Sequence, residues 1–178
     1  MKEAWQTLFP DIGEIKNQKL AKVACGVWDE MLPQSEWADV QSVPFSLAPG
    51  SGSLVAHTRA TMRACLRIAR ALTGVYPGRV LDLDVLLLSA LLHDVSKIVE
   101  YSPNGRTEAG NLYQHAFLAA HAALNAGMPE AVVSIIMLHT PQTNVPMKFL
   151  EGVILKHAEG GIAASGTDYQ RQIDEAMA

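Results

Sequence analysis

The feature that most constrains this chain is an apolar run that ends in two ionisable residues. Residues 83–97 read LDVLLLSALLHDVSK, and between Val85 and Leu92 only Ser89 interrupts the aliphatic side chains. Asp82 or Asp84 starts this helix. A helix that is apolar nearly all round has no face to offer water, so it belongs at the buried centre of its domain. The run is far too short to span a bilayer. It stops at His93-Asp94, and a buried carboxylate or imidazole is costly unless it is paired. A divalent cation offsets that cost directly. A mixture of imidazole nitrogen and carboxylate oxygen suits Mn, Fe, Zn, Co, Ni or Mg according to geometry.

The rest of the chain reads as helix almost throughout. Residues 15–31 form an amphipathic helix with Leu20, Val23, Ala24, Val27 and Trp28 on its apolar side, and Pro33 ends it. Residues 32–53, with Pro33, Pro44, Pro49, Gly50 and Gly52, read as an irregular connector that tucks Trp37 and Phe45 against the body. Ser53 caps a helix over 54–72. A polar loop over 101–111 turns at Pro103-Asn104-Gly105. Helices follow over 112–125, from Pro129 to near His139, over 147–158, and over 168–177 after a loosening at Gly160-Gly161. No segment alternates as a strand does. The expectation is an all-α, single globular bundle of about seven helices. Residues 1–53 would be an N-terminal helix and connector packed on the core, and residues 54–178 the helical metal-binding domain.

The six histidines are His57, His93, His115, His121, His139 and His157. A single histidine at a helix end is more often a dipole partner or a hydrogen-bonded core residue than a ligand. Here four successive helices each offer a candidate: His57, His93-Asp94, His115 and His139. That series is harder to dismiss than any member of it. His121 lies six residues beyond His115, about 240° around a helix, and so faces elsewhere.

The segments SGSLVAHT, LLLSALLHDVSKIVEY, GNLYQHA, IIMLHT and LEGVILKHAE resemble, in this order, the HD-domain metal-dependent phosphohydrolase superfamily. They are most similar to its two-metal branch, over about residues 51–165. The resemblance implies one or two divalent ions. His57, His93 and Asp94 would bind the first, Asp94 would bridge, and His115 and His139 would bind the second. Glu159 occupies the slot where the family places a closing aspartate. His157, two residues away, faces the other side of the helix. Ser96 stands where many relatives carry glycine. Lys97, with Asp94, is a candidate for catalysis. As a contact to phosphate it competes with the reading of a solvated cation at a helix C-terminus. Arg59, Arg63 and Arg106, with Asn104, are candidates for holding an anionic substrate, and surface solvation is the competing reading for the first two.

The implied function is hydrolysis of a phosphomonoester or phosphodiester by a metal-activated hydroxide, on a nucleotide or another small phosphoester. Two alternatives share the ligand set: a diiron HD-type oxygenase that cleaves C–C or C–P bonds, and a non-catalytic regulatory domain. The formal net charge of −4 disfavours nucleic acid as partner, because a phosphate backbone is tracked by concentrated Lys and Arg. Homo-oligomerisation stays open. Two cysteines, Cys25 and Cys65, make no disulfide framework. Residues 1–19 show no leader pattern, so a cytoplasmic protein is expected, not a membrane one.

Overall fold

Helix α4 (Leu83–Leu92) sits where its composition requires, with every residue from Leu86 to Leu92 buried. Asp82 caps it through a bond from the Val85 amide, which satisfies one of the free N–H groups of the first turn. Asp84 does something else. Its carboxylate accepts the backbone N–H groups of Lys16 and Asn17 at 2.7 and 2.8 Å, and so ties the N-terminal segment to the start of the central helix. The fold is a computed structural model that describes residues 2–78 and 80–177, without side chains for 2–4 and 165–177.

Around α4 lie the other helices: α1 (Lys2–Leu8), α2 (Gln18–Met31), α3 (Leu54–Val75), α5 (Lys97–Glu100), α6 (Glu108–Leu112), α7 (His115–Asn125), α8 (Glu130–Leu138) and α9 (Leu150–Met177). Helix α4 packs against α2, α3, α8 and α9, and α7 against α8. Among the described residues the protein is all-α apart from one hairpin. Strands β1 (Tyr101–Ser102) and β2 (Gly105–Arg106) pair antiparallel across the expected turn. A two-residue strand is too short to leave an alternating pattern. Gly110, in α6, packs against this region: a Cβ there would collide with the Glu100 carbonyl oxygen.

Several boundaries differ from expectation, among them the end of the helix expected over 83–97, which comes at Leu92. Residues 108–112 form a separate short helix, capped by Thr107, so α7 begins at His115. Helix α9 runs without a break through Gly160-Gly161 to Met177, where sequence suggested two helices. Glycine costs a helix only about 1 kcal/mol relative to alanine, which neighbouring turns can offset. Gly127 ends α7, with φ of 76°.

The N-terminal residues share the core. Trp5, Phe9, Ile12, Ile15, Trp28, Val40 and Val43 belong to the same buried cluster as Leu54, Met62, Leu88 and Ile135. The rings of Trp5, Phe9 and Trp28 pack together, and Trp28 Nε1 donates to the Leu91 carbonyl at 3.2 Å. Among the described residues no helix is long and apolar enough to cross a membrane.

Candidate metal centre

The central helix delivers its last residues as the candidates. His93 is the C-cap residue of α4, and the chain then tightens, with Val95 N bonded to Leu92 O and Lys97 N to Asp94 O. These three-residue steps turn Asp94 inward beside His93. Helix α3 brings His57 from its first turn, fixed by the Ser53 cap. Helices α7 and α8 run beside each other and contribute His115 at the start of one and His139 at the end of the other.

Four imidazoles converge on one carboxylate. Asp94 Oδ2 lies 3.6 Å from His57 Nε2 and 3.4 Å from His93 Nε2. Asp94 Oδ1 lies 3.5 Å from His115 Nε2 and 3.8 Å from His139 Nε2. The result is two triads of possible ligands, His57-His93-Asp94 and Asp94-His115-His139. The rings of His93 and His139 are pinned from behind. Their Nδ1 atoms lie 2.8 and 2.6 Å from the carbonyls of Ala90 and Ile136. With Nδ1–H donating, each Nε2 lone pair points into the cluster, the arrangement that metal-binding imidazoles use.

The electrostatics fit a cation. Burial first, then neighbouring positive groups, pushes His57 down to about 3. Burial likewise lowers His93 and His115 to about 4. All three are neutral at pH 7, as ligands must be. Burial pulls Asp94 up, but Lys97 and the histidines outweigh it and hold its carboxyl well below the carboxylate range. Burial pulls Lys97 down, and Asp94, Tyr101 and Glu100 more than reverse this. Lys97 Nζ is 3.8 Å from Asp94 Oδ2. Asp94 Oδ1 is buried and has no hydrogen-bond partner. A buried carboxylate oxygen without a donor is expensive, and amid the four imidazoles it is the atom a cation would satisfy.

The remaining candidates fall into place around this cluster. Glu159 is half-buried, and its carboxyl is raised by burial and by Asp94. The charges of Asp94, His139 and Lys97 act on it, but it belongs to neither triad. His157 is exposed. His121 is exposed as well, stacked on Phe117 and bonded to Asn125, away from the cluster as its spacing implied. Arg59 and Arg63 do not meet the cluster. Arg59 Nε donates to the Leu8 carbonyl at 2.8 Å and Arg63 pairs with Asp11 at 3.5 Å, because their face of α3 turns toward the N-terminal segment. Arg106 donates to Gly110 O at 2.9 Å and lies over the Tyr101 ring, whose other cation contact is Lys97. Asn104 is exposed in the hairpin turn.

The sequence left the roles of three residues hidden. Phe45 stacks on His57 with ring centroids 3.7 Å apart. Ser96 Oγ lies 2.9 Å from His115 O and 2.6 Å from Glu100 Oε1, and so ties the turn after Asp94 to the start of α7. Burial raises Glu100. A hydroxyl has one hydrogen, so Ser96 shares it between Glu100 Oε1 and the His115 carbonyl. An acidic residue at the end of a four-residue helix gives no sequence signal of this role.

The sequence profile of the HD domain matches residues 54–160. The chain belongs to the HD domain family. The matched span runs from α3 into α9 and contains every residue of both triads. No curated protein and no solved structure matches the chain. HD-family membership and the convergent cluster together make this a candidate centre for a divalent metal.

The depressed imidazoles carry a prediction for the metal-free protein. Each is near 6.5 when unfolded and lower when folded, so between those values the unfolded chain binds more protons. The stability they contribute is complete above pH 6.5 and is lost as pH falls toward 4. Metal-free protein should lose about 2 kcal/mol per imidazole between pH 7 and pH 5, read as a falling midpoint in urea. A midpoint that is level or rises over that range would show the rings are protonated in the fold.

Proposed function

We propose that this HD protein hydrolyses a phosphomonoester or phosphodiester of a small molecule, such as a nucleotide, with two divalent cations that share Asp94. The observation that carries the reading is the split of the Asp94 carboxylate, with one oxygen facing His57 and His93 and the other facing His115 and His139. Bound there, divalent ions would supply positive charge for a phosphoryl group and lower the pKa of water. His57, His93 and Asp94 would hold one ion, with Glu159 closing that side, and Asp94, His115 and His139 the other. Lys97, beside Asp94, would neutralise charge on a phosphoryl oxygen. Of the three arginines considered, Arg106 is exposed and one ring away from Lys97, which suits it to the outer part of the substrate. His115 has 25% of its side chain exposed, against 4% or less for His57, His93, Asp94 and His139. Substrate would enter on that side.

The test is anaerobic hydrolysis of simple phosphoesters by protein loaded with Mn²⁺. Turnover without oxygen supports the reading. Oxygen consumption by an iron-loaded form, with no hydrolysis, would replace it with oxygenase chemistry. Protein that takes up no metal would leave a regulatory domain. Within the same assay, Glu159→Gln should weaken metal retention about tenfold, while His157→Gln, at an exposed position, should leave it within about twofold. The reverse ranking would assign the closing position to His157.

A further inference from the structure

His57 is held differently from the other buried imidazoles. His93 and His139 each have a backbone carbonyl against Nδ1. Among the described residues no hydrogen bond reaches Nδ1 of His57. Its ring is set by Phe45, which lies nearly parallel to it, 3.7 Å away and inclined by 15°. Lys97 Nζ lies over the same Phe45 ring, 4.7 Å from its centre. His57 and Lys97 both approach Asp94 Oδ2, at 3.6 and 3.8 Å. Phe45, His57, Asp94 and Lys97 thus close a ring of contacts.

We infer that Phe45 is a positioning residue for the metal centre: it orients His57 toward the first cation and holds Lys97 beside Asp94. Stacking limits rotation of the imidazole about its last torsion. A cation over an aromatic face is stabilised by the ring's quadrupole, more so when desolvated, and both Lys97 and Phe45 are buried. Phe45 lies outside the span matched by the HD profile. It comes from the connector, which is built to present it. Phe45 N donates to Gly52 O at 2.9 Å and Leu54 N to Val43 O at 2.8 Å. Pro44 and Ser53 form a bridge. Gly50 and Gly52 turn the segment back with φ of 79° and 75°, values that side chains rarely adopt. Trp37 Nε1 donates to Tyr101 O at 2.9 Å and fastens the connector to the other ring beside Lys97. The N-terminal segment therefore completes the site.

This inference rests on the metal reading above, and its test separates the two. Full-length wild-type, Phe45→Leu and Phe45→Tyr proteins are titrated with Co²⁺ and followed by visible absorption, with thermal midpoints measured metal-free. The leucine keeps apolar bulk without a π face, and the tyrosine keeps the ring. Expected is a loss of about tenfold to a hundredfold in affinity for one of two Co²⁺ ions in Phe45→Leu, with near wild-type affinity for the other. Phe45→Tyr should stay within about threefold of wild type for both. Equal Co²⁺ binding by Phe45→Leu and wild type, or equal loss in both variants, overturns the inference and leaves the metal reading standing. Wild-type protein that binds no Co²⁺ overturns both. Should Phe45→Leu not fold, NMR of the wild type decides: His57 ring protons shifted upfield of those of His93 by the stacked ring support the inference, and unshifted ones overturn it.

Discussion

Asp94→Asn will empty both metal positions and leave the protein without detectable hydrolysis, a fall on the order of 10³-fold or more. The variant changes one atom, yet Asp94 is the only carboxylate in either triad. Neutral imidazoles hold divalent ions poorly without an anionic ligand to balance charge, and Asp94 is the anion that both positions share. The same change acts on the metal-free fold. Lys97 is buried, and Asp94 is its ion-pair partner at 3.8 Å. Removing one partner of a buried pair and leaving the other charged costs about 3–5 kcal/mol. The expected pair of results is therefore loss of metal uptake and a large fall in the metal-free urea midpoint. Full metal uptake at either position in this variant would mean that the shared carboxylate is not what joins the two triads.

Lys97→Met will have the opposite effect on metal and a smaller one on turnover. Lys97 occupies the flank of the carboxylate that a cation needs, so in the metal-free protein the two compete for Asp94. Deleting the ammonium should leave metal affinity unchanged or raise it by up to about tenfold. Turnover should fall by about 10²-fold, the size of effect seen when one charge-stabilising donor is lost at a reacting centre. The methionine keeps the apolar stem over Phe45 and Tyr101, so packing is preserved. Metal affinity and turnover falling together would make Lys97 a structural strut for the ligands; turnover unchanged would remove it from the chemistry.

How far the sequence carried this account depends on the kind of signal each residue leaves. The central position of α4 was legible because eight residues between Val85 and Leu92 hold one hydroxyl and no charge, and no other place in a domain accepts such a helix. The convergence of His57, His93, Asp94, His115 and His139 was legible because each stands at a helix end in a fixed order. The exclusion of His121 followed from helical periodicity alone. What stayed hidden were contacts between distant segments. Nothing local marks Asp84 as the anchor for Lys16 and Asn17 rather than a cap. Arg59 and Arg63 share a helix with His57, but which face meets the N-terminal segment is a tertiary fact. The hairpin at 101–106 is too short for periodicity to reveal. Phe45 sits in a Pro- and Gly-rich connector, where sequence identifies an apolar residue but not the ring it covers.

The central claim is that two cations share the Asp94 carboxylate, and elemental analysis of freshly purified wild-type protein alongside Asp94→Asn tests it most directly. Close to two equivalents of divalent metal are expected per wild-type chain, and none in the variant. Wild-type protein that stays empty, or a variant that keeps its metal, would contradict it.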